Sequence, residues 1–167
     1  MLGERQRLDT TCLRRILHVE GIKMFRVLDT YIDIKAPPER VWEVLLDFPA
    51  WKEWNPFVTS VTGTLAVGAQ LHITVSPPGI KPMEFKPKVF AVRPGEEILW
   101  GGNFLLVLYR GDHAMLLEPL PGGGTRFRQR ERFLGPMVLF MSGMIRAAEQ
   151  GYHQMNQALK RRVEGNS

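Results

Sequence analysis

From Gly135-Pro136 onward the chain repeats apolar residues at one spacing: Met137, Met141, Met144, Ala148, Tyr152, Met155, Leu159 and Val163. Steps of three and four place these side chains on one side of an α-helix. The polar residues Arg146, Glu149, Gln150, Gln154, Gln157 and Lys160 fall on the other side. A helix this long with an unbroken apolar stripe needs a partner surface, and the preceding chain must supply it. Its first turns, MVLFMSGMI, are apolar nearly all round, which predicts that this end is the more deeply buried.

The preceding chain is β-type. FRVLDTYIDIK (25–35) alternates, with Leu28, Thr30, Ile32 and Ile34 on one face and Asp29, Tyr31 and Asp33 on the other. FVTSVTGTL, QLHITVS, MEFKPKVFAVR, EILWGG, LYRGDHAMLLEPL and TRFRQRERFLG follow as strands between residues 57 and 135, separated by the turn-formers VGA, PPGIKP, PGE and PGGG. Between the first and second strands, APPERVWEVLLDF has prolines suited to a helix's first turn. It also sets Val41, Leu45 and Phe48 on one helical face. AWKEW then makes a second short helical turn, stopped by Asn55-Pro56. Trp51 and Trp54 share a side of that turn, and Trp54 is expected at the mouth of a cavity with Trp51 more peripheral. The sum is an α+β fold: a curved antiparallel sheet of about seven strands wrapped around a long C-terminal helix, with two short helices between strands 1 and 2. Such an arrangement tends to leave a cleft between sheet and helix.

The 167 residues suit one domain with a real core. The single cysteine, Cys12, excludes an intrachain disulfide and a multi-cysteine metal site, and suits a cytoplasmic location. No apolar run approaches the roughly 18 residues of a membrane span. A net charge of +5 raises the question of nucleic acid. Arg126, Arg128, Arg130 and Arg132, however, alternate along one strand face with no aromatics interleaved on that face. They read as a solvated outer face, so no nucleic-acid partner is expected. A transient contact with an anionic membrane stays open. Residues 1–23 are Arg-rich without a secretory pattern. They are expected to be a mobile extension or an over-long gene start whose deletion spares function, leaving 24–167 as the single ligand-binding domain.

IDIKAPPERVWEVLLDFPAWKEWNPFV, Trp100 in ILWGG, GDHAMLLEPL and GGGTRFRQRERFLG together give the sequence a family likeness. Over about residues 25–163 it resembles the START-like, helix-grip superfamily, in particular the polyketide cyclase/dehydrase and lipid-transport (SRPBCC) type. The resemblance implies a cavity between sheet and helix that holds a small hydrophobic molecule such as a lipid, polyketide or aromatic compound. Related members include carriers, cyclases, aromatases and regulatory modules.

The hairpin centred near PLPGGG sets His113 opposite Glu131 and Met115 opposite Gln129, whereas a slip of one would set His113 opposite Arg130. On the first register, His113, Met115 and Leu117 share a face with Phe127, Gln129, Glu131 and Phe133, the mixture expected of a pocket floor. His113 and Glu131 are then expected to form a polar contact that orients a ligand carbonyl or hydroxyl. In an enzyme they would be a proton-transfer pair, with Tyr152 as a further catalytic candidate. Each of these residues serves equally as a structural hydrogen-bonding group. Trp54, Trp100, Ala148 and Tyr152, with the adaptable Met141 and Met144, complete the expected ligand-binding set. His72 alternates with apolar neighbours and faces out. The four histidines are dispersed, so no metal site is indicated, and no nucleotide or cofactor fingerprint is present. Binding of a hydrophobic molecule is the leading reading. A cofactor-independent cyclase, aromatase or dehydratase is the second, and a protein-interaction module the third. Ligand identity and oligomeric state do not follow from the sequence.

Overall fold

The computed structural model describes residues 24–104 and 108–165. The expectations for residues 1–23, Cys12 and His18 included, lie outside them. Strand β1 (Phe25–Ile34) leads into helix α1 (Pro38–Leu46), a 3-10 turn (Phe48–Ala50) and the short helix α2 (Trp51–Trp54). Then come β2 (Val58–Thr62), β3 (His72–Val75), β4 (Met83–Phe85), β5 (Lys88–Arg93), β6 (Glu97–Phe104), β7 (Tyr109–Pro119) and β8 (Thr125–Leu134). A second 3-10 turn (Pro136–Phe140) precedes the long helix α3 (Ser142–Glu164).

Among the described residues the strands are eight, not seven. The expected single strand over residues 83–93 divides at Lys86-Pro87: β4 pairs with β3, and β5 pairs with β6. Proline has no N–H to continue a ladder, so the chain changes partners there. The result is a five-stranded antiparallel sheet in the order β1-β8-β7-β6-β5 and a three-stranded one in the order β2-β3-β4. Backbone bonds from Leu71 N to Pro87 O and from Val89 N to Ala69 O, both 2.9 Å, tie the two together as one curved wall.

Helix α3 lies across the inner face. Met155, Asn156, Ala158, Leu159 and Val163 on the helix and Leu28, Thr30 and Ile34 on β1 are all buried. The depth runs opposite to expectation. The C-terminal half of α3 is the buried half, while Leu139 and Phe140, at 43% and 87% exposure, face outward from the 3-10 turn. An all-round apolar segment carries no information about which side faces in. Here Gly135, at φ 124, turns the chain so that Val138 is the residue that packs inward. At the far end Gly165, at φ 72, closes α3 in the left-handed conformation, its N–H reaching Arg161 O.

Neither tryptophan takes its expected place. Trp51 is fully buried and donates its indole N–H to Leu45 O at 3.2 Å. Asn55 ends the turn with its side chain, whose Oδ1 accepts the N–H groups of Phe57 and Val58, both at 3.0 Å. That Asx-type cap satisfies the two amides at which the chain turns into β2. On the outer face, Arg126 grips Asp33 and Arg128 grips Asp29 through paired bonds of 2.6–3.0 Å, so much of the arginine ladder is internally neutralised.

Candidate functional site

The β7–β8 hairpin has the register that sets His113 opposite Glu131 and Met115 opposite Gln129. Parity puts these side chains on the inner face, under α3. The polar contact between His113 and Glu131 nevertheless does not form. His113 Nε2 meets Gln129 Oε1 at 3.1 Å, one step along the diagonal. The Gln129 amide nitrogen donates to Asn156 Oδ1 at 2.6 Å and to the Tyr152 carbonyl at 3.4 Å, and Asn156 Nδ2 reaches Thr30 Oγ1 at 3.3 Å. A backbone carbonyl only accepts, so the Gln129 nitrogen must face the helix and its oxygen must face His113. His113 therefore donates from Nε2. This chain joins β7, β8, α3 and β1, and each group in it is buried. Burial pulls the His113 imidazole down to about 4, against the opposing effect of its Gln129 bond. It is a neutral donor at physiological pH.

Glu131 turns instead to the helix and accepts the hydroxyl hydrogen bond of Tyr152. Burial pushes its carboxyl up to about 7; the Tyr152 bond works against that rise and the charge of Asp112 adds to it. Burial and the nearby Glu131 charge in turn raise the hydroxyls of Tyr152 and Tyr109, so both remain protonated donors. Beside them Gly111 leaves the space that its neighbours occupy. A Cβ there would stand 2.8 Å from the Tyr109 hydroxyl and 3.3 Å from Glu131 Oε1.

These groups edge a cavity of about 90 Å³ between the sheet and the N-terminal half of α3. Trp100, His113, Glu131, Phe133, Met144, Ala148 and Tyr152, all expected at a ligand site, line it. The remaining expected residues stand elsewhere. Met115, Phe127 and Gln129 are packed in the closed core away from the cavity, at 1%, 0% and 0% exposure. Met141 packs against the core at the start of α3. Trp54 lines a separate surface recess with Arg40, Glu43, Asp47 and Arg162. Its indole N–H is buried and has no hydrogen-bond partner among the described residues.

Sequence reasoning missed Phe57, Ile73, Val75, Met83, Phe85 and Tyr109 on the wall. Tyr109 was within reach, since it shares parity with Gly111 and His113. Phe57 enters because Gly151 admits it: a Cβ on Gly151 would stand 2.1 Å from the Phe57 ring. The Phe57 and Tyr152 rings then meet edge-on at 5.0 Å. Among the described residues no cluster of His, Cys, Asp or Glu is arranged to hold a metal ion. No described helix is long and apolar enough to cross a membrane.

Residues 25–164 match the family described as "Polyketide cyclase / dehydrase and lipid transport". No curated protein matches the chain by sequence. Among solved structures, the Zhui aromatase/cyclase from Streptomyces sp. R1128 superposes with a TM-score of 0.67 at 16% identity, over 84% of this chain and 94% of that one. A START superfamily protein from Mycobacterium smegmatis gives 0.62 at 20% identity, over 84% and 99%. Protein MLL2253 from Mesorhizobium loti gives 0.65 at 21% identity, over 85% and 99%. At these identities the likeness is one of fold.

Proposed function

We propose, from the premise that this chain belongs to the polyketide cyclase/dehydrase and lipid-transport family, that it binds a small hydrophobic molecule between its sheet and α3. The observation that carries this reading is the composition of the cavity wall. It is apolar throughout apart from one polar end, where the Glu131 carboxyl, the Tyr109 and Tyr152 hydroxyls and His113 converge. That is the usual design of a small-molecule site, with apolar walls for affinity and a few polar groups for orientation. At about 90 Å³ the cavity is smaller than the roughly 300 Å³ at the low end of ligand pockets. A ligand of lipid or polyketide size therefore has to displace wall side chains. Met83 and Met144, unbranched and adaptable, are the ones suited to yield.

Native mass spectrometry of protein purified from its own host tests the reading. A co-purified small molecule that is lost on Trp100→Ala or Phe133→Ala supports it; a ligand retained through both substitutions overturns it.

A cyclase- or dehydratase-type reaction is the second reading, favoured by one observation. Glu131 is a carboxyl poised to exchange a proton near neutrality, with the Tyr152 hydroxyl bonded to it. In that reading the acid–base group is Glu131 and His113 is a neutral positioning donor. Glu131→Gln that keeps ligand binding but loses turnover supports it.

A further inference from the structure

Resting on the ligand-binding reading above, we infer that the cavity selects a ligand whose polar end is an organic ammonium group, a hydrophobic amine rather than a carboxylate or a neutral alcohol. Three features point this way. The first is charge. None of the described residues that line the cavity is a lysine or arginine, and His113 is a neutral donor. The lining group that gains charge near neutrality is Glu131, an anion; Asp112, behind it, is paired with Arg110 at 3.1 Å and Arg132 at 3.5 Å. An anionic ligand head would sit beside the Glu131 carboxylate with no lysine or arginine among the described lining residues to pair with, whereas an ammonium pairs directly with Glu131.

The second feature is the aromatic content of the wall. Phe57, Phe85, Trp100, Tyr109, Phe133 and Tyr152 line one small space. The negative faces of such rings attract an ammonium, most strongly where water is excluded. Tyr109 and Phe133 are stacked at 5.9 Å and Phe57 meets Tyr152 at 5.0 Å, so the rings are held by one another as a preformed wall. The third is donor capacity. Tyr152 bonds one oxygen of Glu131; the other, Oε1, lies with the Tyr109 hydroxyl beside Gly111, in the space that a side chain there would fill. An ammonium N–H donates to such an oxygen.

The protein's net charge of +5 works against non-specific capture of a cation. A preference for the amine therefore has to arise locally.

The test compares hexylammonium, hexanol and hexanoate by calorimetry on the full chain at pH 8 and low salt. The inference expects hexylammonium to bind at least about tenfold more tightly than either of the others. It expects Glu131→Gln to bring the amine down to about the level of hexanol. Hexanol or hexanoate binding as tightly as the amine overturns the ammonium assignment and leaves the ligand-binding reading standing. Failure of all three to bind overturns both. If Glu131→Gln does not fold, the wild-type protein decides: amine affinity must rise between pH 5.5 and pH 8.5 as Glu131 ionises, and a flat profile overturns the inference. The groups that face Glu131 and bear on that profile are Tyr109 and His113 from β7 and Tyr152 from α3, with Asp112 on the other face of β7 paired with Arg110 and Arg132. Of the facing groups, His113 is already neutral across the range and the two tyrosines remain protonated.

Discussion

Tyr152 on α3 donates its hydroxyl hydrogen bond to the carboxyl of Glu131 on β8, so the cover helix and the sheet meet at the polar end of the cavity. That bond favours the ionised carboxyl while burial disfavours it, and burial wins. Tyr152→Phe removes the opposing effect and keeps the ring. The Glu131 carboxyl is expected to rise further above 7, seen as a later inflection in a carboxyl-carbon NMR titration. Above that pH the variant should lose about 1–2 kcal/mol of stability, the cost of a buried acceptor left unpaired. An unmoved inflection would show that the bond does not form in solution.

Glu131 and His113 impress opposite pH slopes on stability. The folded Glu131 carboxyl is raised from 4.5 to about 7. The folded state therefore holds the extra proton between those values, and stability is lost as pH rises through that window, by up to about 3 kcal/mol. His113 is lowered from 6.5 to about 4, so the unfolded state holds the extra proton there and stability is lost as pH falls. The two nearly cancel in the wild type between pH 4.5 and 6.5. Glu131→Gln should uncover a protein that gains stability from pH 4 to 6.5 and exceeds the wild type at pH 8. Urea midpoints across this range read the difference, and parallel profiles for the two proteins would refute it.

His113→Ala is expected to act on stability rather than on charge. It leaves Gln129 Oε1 without its donor inside a network that runs to Asn156 and Thr30, and it opens space beside Trp100, whose ring lies 5.6 Å away. A loss of about 2–4 kcal/mol follows from an unpaired buried acceptor plus a cavity. His113→Gln, which keeps a donor, should recover part of it. If the alanine variant is as stable as the wild type, the network is not what joins helix to sheet.

How much of the fold and site is legible in the sequence depends on how local the determining contacts are. The β7–β8 register follows from a short Gly-rich turn and a period of two, so the sequence alone places His113, Glu131 and Phe133 on one face. The diagonal choice of Gln129 by His113 is not legible in the same way, because it is settled by Asn156 and the Tyr152 carbonyl arriving from a helix far along the chain. Trp51 and Trp54 depart from expectation for a similar reason: their shared helical side carries no sign of which one meets Leu45 O and the core. The walls from β2, β3 and β4 escape notice because their apolar alternation is that of any half-buried strand. What makes them cavity walls is Pro87, which splits the expected strand, and Gly151, which lets Phe57 approach α3.

Gly151 gives the most direct check on how that wall is built. In an exposed helix interior, glycine to alanine stabilises by about 1 kcal/mol, because alanine has less backbone freedom to lose. Here the new Cβ would lie 2.1 Å from Phe57 Cδ2 and 2.4 Å from Cε2, far inside contact distance, so the ring or the helix has to move. Phe57 is 3% exposed and packed edge-on against Tyr152, which leaves it little room to retreat. Overpacking should outweigh the propensity gain and give a net loss of about 1–3 kcal/mol. Phe57→Leu alone should also destabilise, but combined with Gly151→Ala it supplies the space the methyl needs. The double variant should therefore be more stable than the sum of the two single losses predicts, by more than about 0.5 kcal/mol in a urea-denaturation cycle. Additive losses, or a Gly151→Ala protein more stable than the wild type, would show that Phe57 does not rest on Gly151 and that this side of the cavity is built differently.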